Sequence, residues 1–365
     1  MVHVIKSLIP RAWSSWVGRS LVAGVSVAAI AGSVLMSAPT QASASSKGPW
    51  TIAISNSFYG NTWREEMICS IESEAATPLY KPYVSKILVS NAGSSVTTQV
   101  ADIRNFISEG VNAIIIDPAS PVGYNQVVQE ALSRGIKVVV VDQFIDDNAP
   151  WQVENNQYQY GVIGMSWLAQ QLHGKGNIIV IRGIIGAPAD TARENGVLSV
   201  LKKYPNIHVI AQAQGGWDAA TAHTALAALL AAHPNVQGVW VSGGSVGAVQ
   251  AVVSSHHMIP MVGEDGIGYL EAMLKYRSSG FVAALDTNPP AIGAIGLQEA
   301  IALLQGKSVP KKSYIIPHVY ANNTAAGLSY IKAHITKMLP VTASSSWDVP
   351  GMTHYSLAAM AHCLG

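Results

Sequence analysis

A regular exchange of short apolar runs with amphipathic stretches governs what this chain can fold into. "WTIAIS" is followed by "WREEMICSIESEA", "VSKILVS" by "VTTQVADIRNFISEG", "VNAIIID" by "VGYNQVVQEALSRG", and "IKVVVVD" comes next. Unbroken β-branched runs such as "AIIID" and "KVVVVD" suit strands buried on both faces. Val96, Val100, Ile103 and Ile107 repeat at the three–four spacing of a helix face. Gly110 and Gly135 stand where a helix ends in a left-handed residue. Alternation of this kind predicts an α/β fold with a doubly wound parallel sheet.

The pattern pauses at "QFIDDNAPWQVENNQ", where Pro150, Asn155 and Asn156 mark a break, and then restarts. Two α/β lobes follow, and 365 residues give room for two cores. A composition 49% hydrophobic and only 12% charged describes a packed chain, not a disordered one. The helix over Ile292 to Leu304 has no strand of lobe two left to flank, so a return to lobe one is expected. "YIIPHVYAN" reads as one late strand. The expected division is therefore 49–153 with 286–313 as lobe one and 154–285 with 314–323 as lobe two. Residues 324–365 form a tail expected to dock back on lobe one.

Residues 1–44 have the character of an export signal. Lys6, Arg11 and Arg19 precede the apolar run "LVAGVSVAAIAGSVLM", and Ala42-Ser43-Ala44 offers a small-residue cleavage site. The run is short for a membrane span, so cleavage near Ala44 and a periplasmic location are expected. The two cysteines, Cys69 and Cys363, are an even count in an oxidising compartment. They are expected to form a disulfide that ties the tail to the first helix; the alternative is two separate buried thiols. A net charge of +1 without any basic tract argues against a nucleic-acid partner.

Open α/β sheets bind ligands beyond the carboxyl ends of their strands. Those ends carry Asn56 to Arg64, Asp117-Pro118, Asp142-Gln143, Arg182 to Arg193, Gln214 to Asp218, Ser242 to Ser245, Glu264-Asp265 and Asp286 to Asn288. Acids, amides, arginines and tryptophans line them, the composition of a polar binding cleft with flat apolar plates. Signs of an enzyme are weak. His256 and His257 are adjacent and cannot share a helix face as metal ligands. "GGSVG" lacks the nucleophile-elbow spacing, and "GIIGAPAD" does not meet the dinucleotide fingerprint. No catalysis, cofactor or metal is expected.

Six stretches in order resemble the ribose- and galactose-type periplasmic sugar-binding proteins of ABC importers. They are "GVNAIIIDPASP", "GIKVVVVD", "ARENG", "GGWDAATA", "IPMVGEDG" and "NPPAIGAIGLQEAIALLQGK", and they span nearly all of the chain after the leader. The resemblance implies a type I periplasmic binding protein, with two lobes, three hinge crossovers and a sugar clamped between them. The crossovers are expected near 151–156, 281–288 and 310–316. Trp63 and Trp217 match the two stacking aromatics, with Asn56 and Asn61 beside the first and Arg64 replacing a usual aromatic. Tyr59 is expected to pack inward. Asp142 and Asp265 match hydroxyl-binding aspartates, Arg193 a bidentate donor with Arg182 as runner-up, and Thr287 or Asn288 the polar group at a crossover. Gln143 stands where arginine is frequent, and Gly243-Gly244 where an asparagine–aspartate pair is common, leaving Ser242 or Ser245 as substitutes. The implied partners are a small sugar-like ligand and an importer permease, with the protein a monomer. Alternatives sharing the fold are a receptor for a sensor kinase or chemoreceptor, the ligand-binding half of a repressor, and an enzyme acting in the same cleft.

Overall fold

The computed structural model describes residues 47–365, and the leader expected over 1–44 lies outside the described residues. In chain order the strands are β1 (Trp50–Asn56), β2 (Val84–Asn91), β3 (Ala113–Asp117), β4 (Lys137–Asp142), β5 (Trp151–Asn155), β6 (Lys175–Arg182), β7 (Asn206–Gln214), β8 (Gly238–Val241), β9 (Met261–Glu264), β10 (Ala283–Asp286), β11 (Lys312–Ile315) and β12 (Val319–Ala321). The helices are α1 (Thr62–Ala76), α2 (Val96–Glu109), α3 (Asn125–Ser133), α4 (Gln157–Gln171), α5 (Pro188–Leu201), α6 (Ala219–Ala232), α7 (Ser245–Ser254), α8 (Ile267–Lys275), α9 (Ile292–Leu304), α10 (Ala325–His334) and α11 (Leu357–Leu364).

Two six-stranded sheets result, ordered β11-β5-β4-β3-β1-β2 and β12-β10-β9-β8-β6-β7. All pairings are parallel except β10 with β12. The doubly wound two-lobe architecture expected from the alternation is thus formed. Every residue of β3 is buried, because helices cover both faces of its sheet. Helix ends follow local chemistry. Ser95 caps α2 by accepting from Thr98 N, and Gly110 closes it at φ 73°, a backbone setting costly for a residue with a Cβ. α9 lies on the first sheet, where Ile292, Ile295 and Ile301 join Ile52, Ile115, Val139 and Val141 in one core.

The chain passes between the sheets after β5, after β10 and between β11 and β12. Three expectations change. The stretch read as a pause contains β5, so a boundary at residue 153 would cut a strand. "YIIPHVYAN" is two strands in two different sheets, separated around Pro317, which has no N–H to give a ladder. The tail does not belong to lobe one alone. Ile331 of α10 is buried in the core of lobe two with Leu270, Met273 and Phe281, and of the tail's two helices α11 is the one that packs on α1. Cys69 and Cys363 are disulfide-bonded as expected, with Cα atoms 5.7 Å apart. Among the described residues no helix is long and apolar enough to cross a membrane.

Candidate functional site

The crowded turn after β1 is built around a helix cap. Asn61 Oδ1 accepts from Arg64 N at 3.0 Å, which satisfies one of the free amides at the start of α1. Its Nδ2 reaches across to Trp217 O at 3.4 Å, in the opposite lobe. The cap sets the next two residues. Trp63 donates Nε1 to Asn288 O at 2.6 Å and remains half-buried with its ring along the cleft. Arg64 is buried and ion-paired with Asp117 at the end of β3. Burial lowers its pKa to about 10, with Asp142 and Glu264 pulling the other way. Tyr59, expected to pack inward, is instead 53% exposed.

Lobe two answers with Arg193, in the second turn of α5. Its Nε donates to Gln157 Oε1 at 2.7 Å and its Nη1 to Glu264 Oε2 at 2.8 Å and to the Ser242 carbonyl. The guanidinium lies 4.0 Å over the Tyr160 ring, a cation–π contact that holds its plane. Trp217 sits in a glycine slot. A Cβ on Gly243 would come within 2.6 Å of Trp217 Cδ1, and one on Gly183 would overlap the indole. Gly243 therefore lacks a side chain because the tryptophan occupies its space. Gly244 has φ 75° and leads into α7, so that pair is a packing requirement. Trp217 Nε1 donates to Ser242 Oγ at 3.1 Å, and Ser245 Oγ is buried without a hydrogen-bond partner among the described residues.

Asn61, Trp63, Arg64, Asp142, Ala189, Arg193, Trp217, Glu264 and Asn288 enclose a cavity of about 20 Å³ between the lobes. That is room for a single water. A second cavity of about 200 Å³ shares Asn61, Trp63, Trp217 and Glu264 with it, and Thr62, Ser245 and Thr342 extend its wall. Asp142 Oδ1 accepts from Asn155 at 3.1 Å and Gln157 at 2.8 Å, while none of the described residues hydrogen-bonds its Oδ2.

Five expected site residues serve other partners. Asn56 Nδ2 is spent on Phe58 O and Asn91 Oδ1. Gln143 Nε2 holds Asp117 Oδ1 and Pro118 O, and its Oε1 accepts from Ala189 N of the other lobe at 3.0 Å. Thr287 pairs with His318 through both its backbone N–H and its Oγ1, joining the second and third crossovers. The Ser242 hydroxyl accepts from Trp217. Asp265 is the fullest correction. Its Oδ2 accepts from Ser344 Oγ, Ser345 Oγ and Ser346 N at 2.7–2.9 Å, and its Oδ1 from Asn288 N at 3.1 Å. Oδ2 is thus taken by the tail and Oδ1 holds the crossover, although the residue borders the 200 Å³ cavity. Arg182, the runner-up to Arg193, is likewise bound to Asp190 and Glu194.

Glu264 and Gln157 take places the sequence reading did not assign. Gln157 links Asp142, Arg193 and Asn288 from the first turn of α4. Its only sequence signal is its position just past the Asn155-Asn156 break. Burial pushes the Glu264 carboxyl from 4.5 up to about 7, against the pull of Arg193. A carboxyl whose folded pKa is raised binds its proton more firmly in the folded state. Its share of stability is therefore complete below about pH 4.5 and is lost as the pH rises through 7. Glu264→Gln should flatten that part of the melting-temperature profile; equal slopes in variant and wild type would refute a raised Glu264.

The periplasmic binding protein domain family matches residues 52–308. The chain belongs to that family. The xylitol-binding protein of Mycolicibacterium smegmatis is 26% identical over 260 residues, covering 70% of this chain and 74% of that one. Among solved structures, an ABC transporter solute-binding protein from Thermobispora bispora superposes with a TM-score of 0.71 at 27% identity, covering 80% and 90% of the two chains. The periplasmic binding component of the arabinose ABC transporter from Shewanella sp. ANA-3, bound to α- and β-L-arabinofuranose, gives 0.68 at 26% identity and 78% and 95% coverage.

Proposed function

We propose that this periplasmic binding protein captures a neutral sugar or polyol between its lobes and delivers it, as a monomer, to the permease of an ABC importer. The observation that carries the ligand class is the pairing of both buried cleft arginines. Arg64 is paired with Asp117 and Arg193 with Glu264. A carboxylate or phosphate ligand would meet no free cation, whereas hydroxyls can donate to Asp142 Oδ2 and accept from guanidinium and amide N–H groups. Trp63 and Trp217, one from each lobe, offer flat apolar faces to the C–H face of a sugar ring. The names of the xylitol- and arabinofuranose-binding relatives agree with a neutral polyhydroxylated ligand. The groups in the cleft are used for recognition, and no chemistry is assigned to them.

A thermal-shift screen over sugars, polyols, sugar acids and amino acids tests this. A ligand at a hundred times its Kd adds about 2.7 kcal/mol to folding, a rise of several degrees. Neutral sugars or polyols should give that rise. A screen in which only sugar acids or amino acids stabilise the protein would overturn the ligand class.

A further inference from the structure

The residues after β12 touch both lobes. α10 packs on lobe two through Ile331. α11 packs on α1 of lobe one, where Cys363 is bonded to Cys69. The stretch between them is hydrogen-bonded to each side. On lobe two, Val341 O accepts from Gly268 N at 2.8 Å and Ala343 O from Ile267 N at 2.9 Å, and three consecutive serines donate to Asp265. On lobe one, the Thr342 and Thr62 hydroxyls meet at 2.6 Å and Ser344 N donates to Glu66 Oε2 at 2.8 Å. Further along, His354 N donates to Glu74 Oε2 at 2.9 Å and Gln298 Nε2 to Met352 O at 2.7 Å, both anchoring on lobe one. One apolar cluster joins Leu339, Ala343, Tyr355 and Met360 of this segment to Ile267 of lobe two and to Ala291 and Ala294 of lobe one.

We propose that the C-terminal segment is a fourth connection between the lobes, closed into a covalent ring by the Cys69–Cys363 disulfide, and that it limits how far the cleft opens. The three crossovers are bonded to one another: Thr287 to His318, and Asn155 Nδ2 to Pro289 O at 3.2 Å. They allow rotation about their common line. Thr342 and Thr62 lie elsewhere, on the wall of the 200 Å³ cleft cavity. A bridge placed off the rotation line must stretch or part when the lobes swing apart. Parting it leaves the buried Glu66 carboxyl group without its Ser344 donor and exposes the shared apolar cluster. With α10 seated on lobe two and Cys363 bonded to lobe one, the segment cannot leave either side, so the slack between residues 345 and 353 sets the widest opening.

Small-angle scattering of the sugar-free protein tests the tether. The proposal rests on the two-lobe hinge reading but not on any ligand, so a failed sugar screen leaves this measurement unaffected. A protease recognition site is placed at the exposed turn Pro350-Gly351-Met352 and cleaved after folding. The cut severs the connection while the disulfide keeps α11 on α1. The radius of gyration should rise on cutting, with the circular dichroism spectrum unchanged. The Cys69→Ser/Cys363→Ser variant, which frees the far end instead, should show the same rise. An unchanged radius of gyration in the cut, folded protein would overturn the tether and make the tail a docked appendage; should the serine variant not fold, the cut protein decides.

Discussion

Replacing Arg193 with methionine should cost roughly 3–5 kcal/mol of stability, the scale seen when one partner of a buried ion pair is removed. The guanidinium is almost fully buried and, among the described residues, is the only cation bonded to Glu264. Burial lowers the Arg193 pKa, but Glu264, Tyr160 and Asp142 outweigh it, so its charge is firmly held. Without Arg193, the Gln157 amide oxygen loses its donor and Glu264 Oε2 keeps only the Asn288 amide, at 3.0 Å. Adding Glu264→Gln should recover a large part of the loss, because the isolated buried charge is then gone. Urea denaturation of the two single variants and the double variant measures the coupling. Simple additivity would show that the pair is not a unit. Calorimetry with whichever neutral sugar emerges from the screen should show binding lost in Arg193→Met.

Removing the disulfide is the second large effect. The bond joins residues 294 apart in sequence, nearly the full length of the described chain. Closing so long a loop restricts the unfolded state, and chain-entropy estimates give on the order of 5 kcal/mol as an upper figure. Cys69→Ser should lower the melting temperature strongly while leaving the cleft residues in place, since Cys69 lies on the side of α1 facing α11, in a cluster separate from the cleft. Reduction should act like the substitution. A melting temperature unmoved by either would mean that the packing of Met360 and Tyr355 alone holds the tail.

Asp265 shows how a strand end can mislead. Glu264 and Asp265 are adjacent acids at the end of β9, and successive residues of an extended chain point in opposite directions. Both border the 200 Å³ cleft cavity, and composition cannot say which of them the rest of the protein takes up. The tail decides it, by placing three serine donors on Asp265 from about 80 residues away. Gln157 escaped notice for a similar reason: it is an ordinary amide until α4 is packed against Asp142 and Arg193. The pause before it hid β5, whose first four residues alternate apolar and polar and gain their meaning only between β4 and β11.

What the sequence determined by itself is local and periodic. Strands buried on both faces, capped amphipathic helices, their alternation and the polar, aromatic character of the strand ends all follow from side-chain chemistry at spacings of two and three to four residues. Those rules were sufficient for two α/β lobes with Trp63, Arg193 and Trp217 at the strand ends. Long-range pairing was decided by the tertiary structure alone. It split residues 312–321 between two sheets, put Trp217 into a slot made by Gly183 and Gly243, matched each arginine with its carboxylate, and carried the tail across both lobes to Cys69. Each of those outcomes depends on which surfaces meet after collapse, and a one-dimensional pattern holds no record of that until the packing selects it.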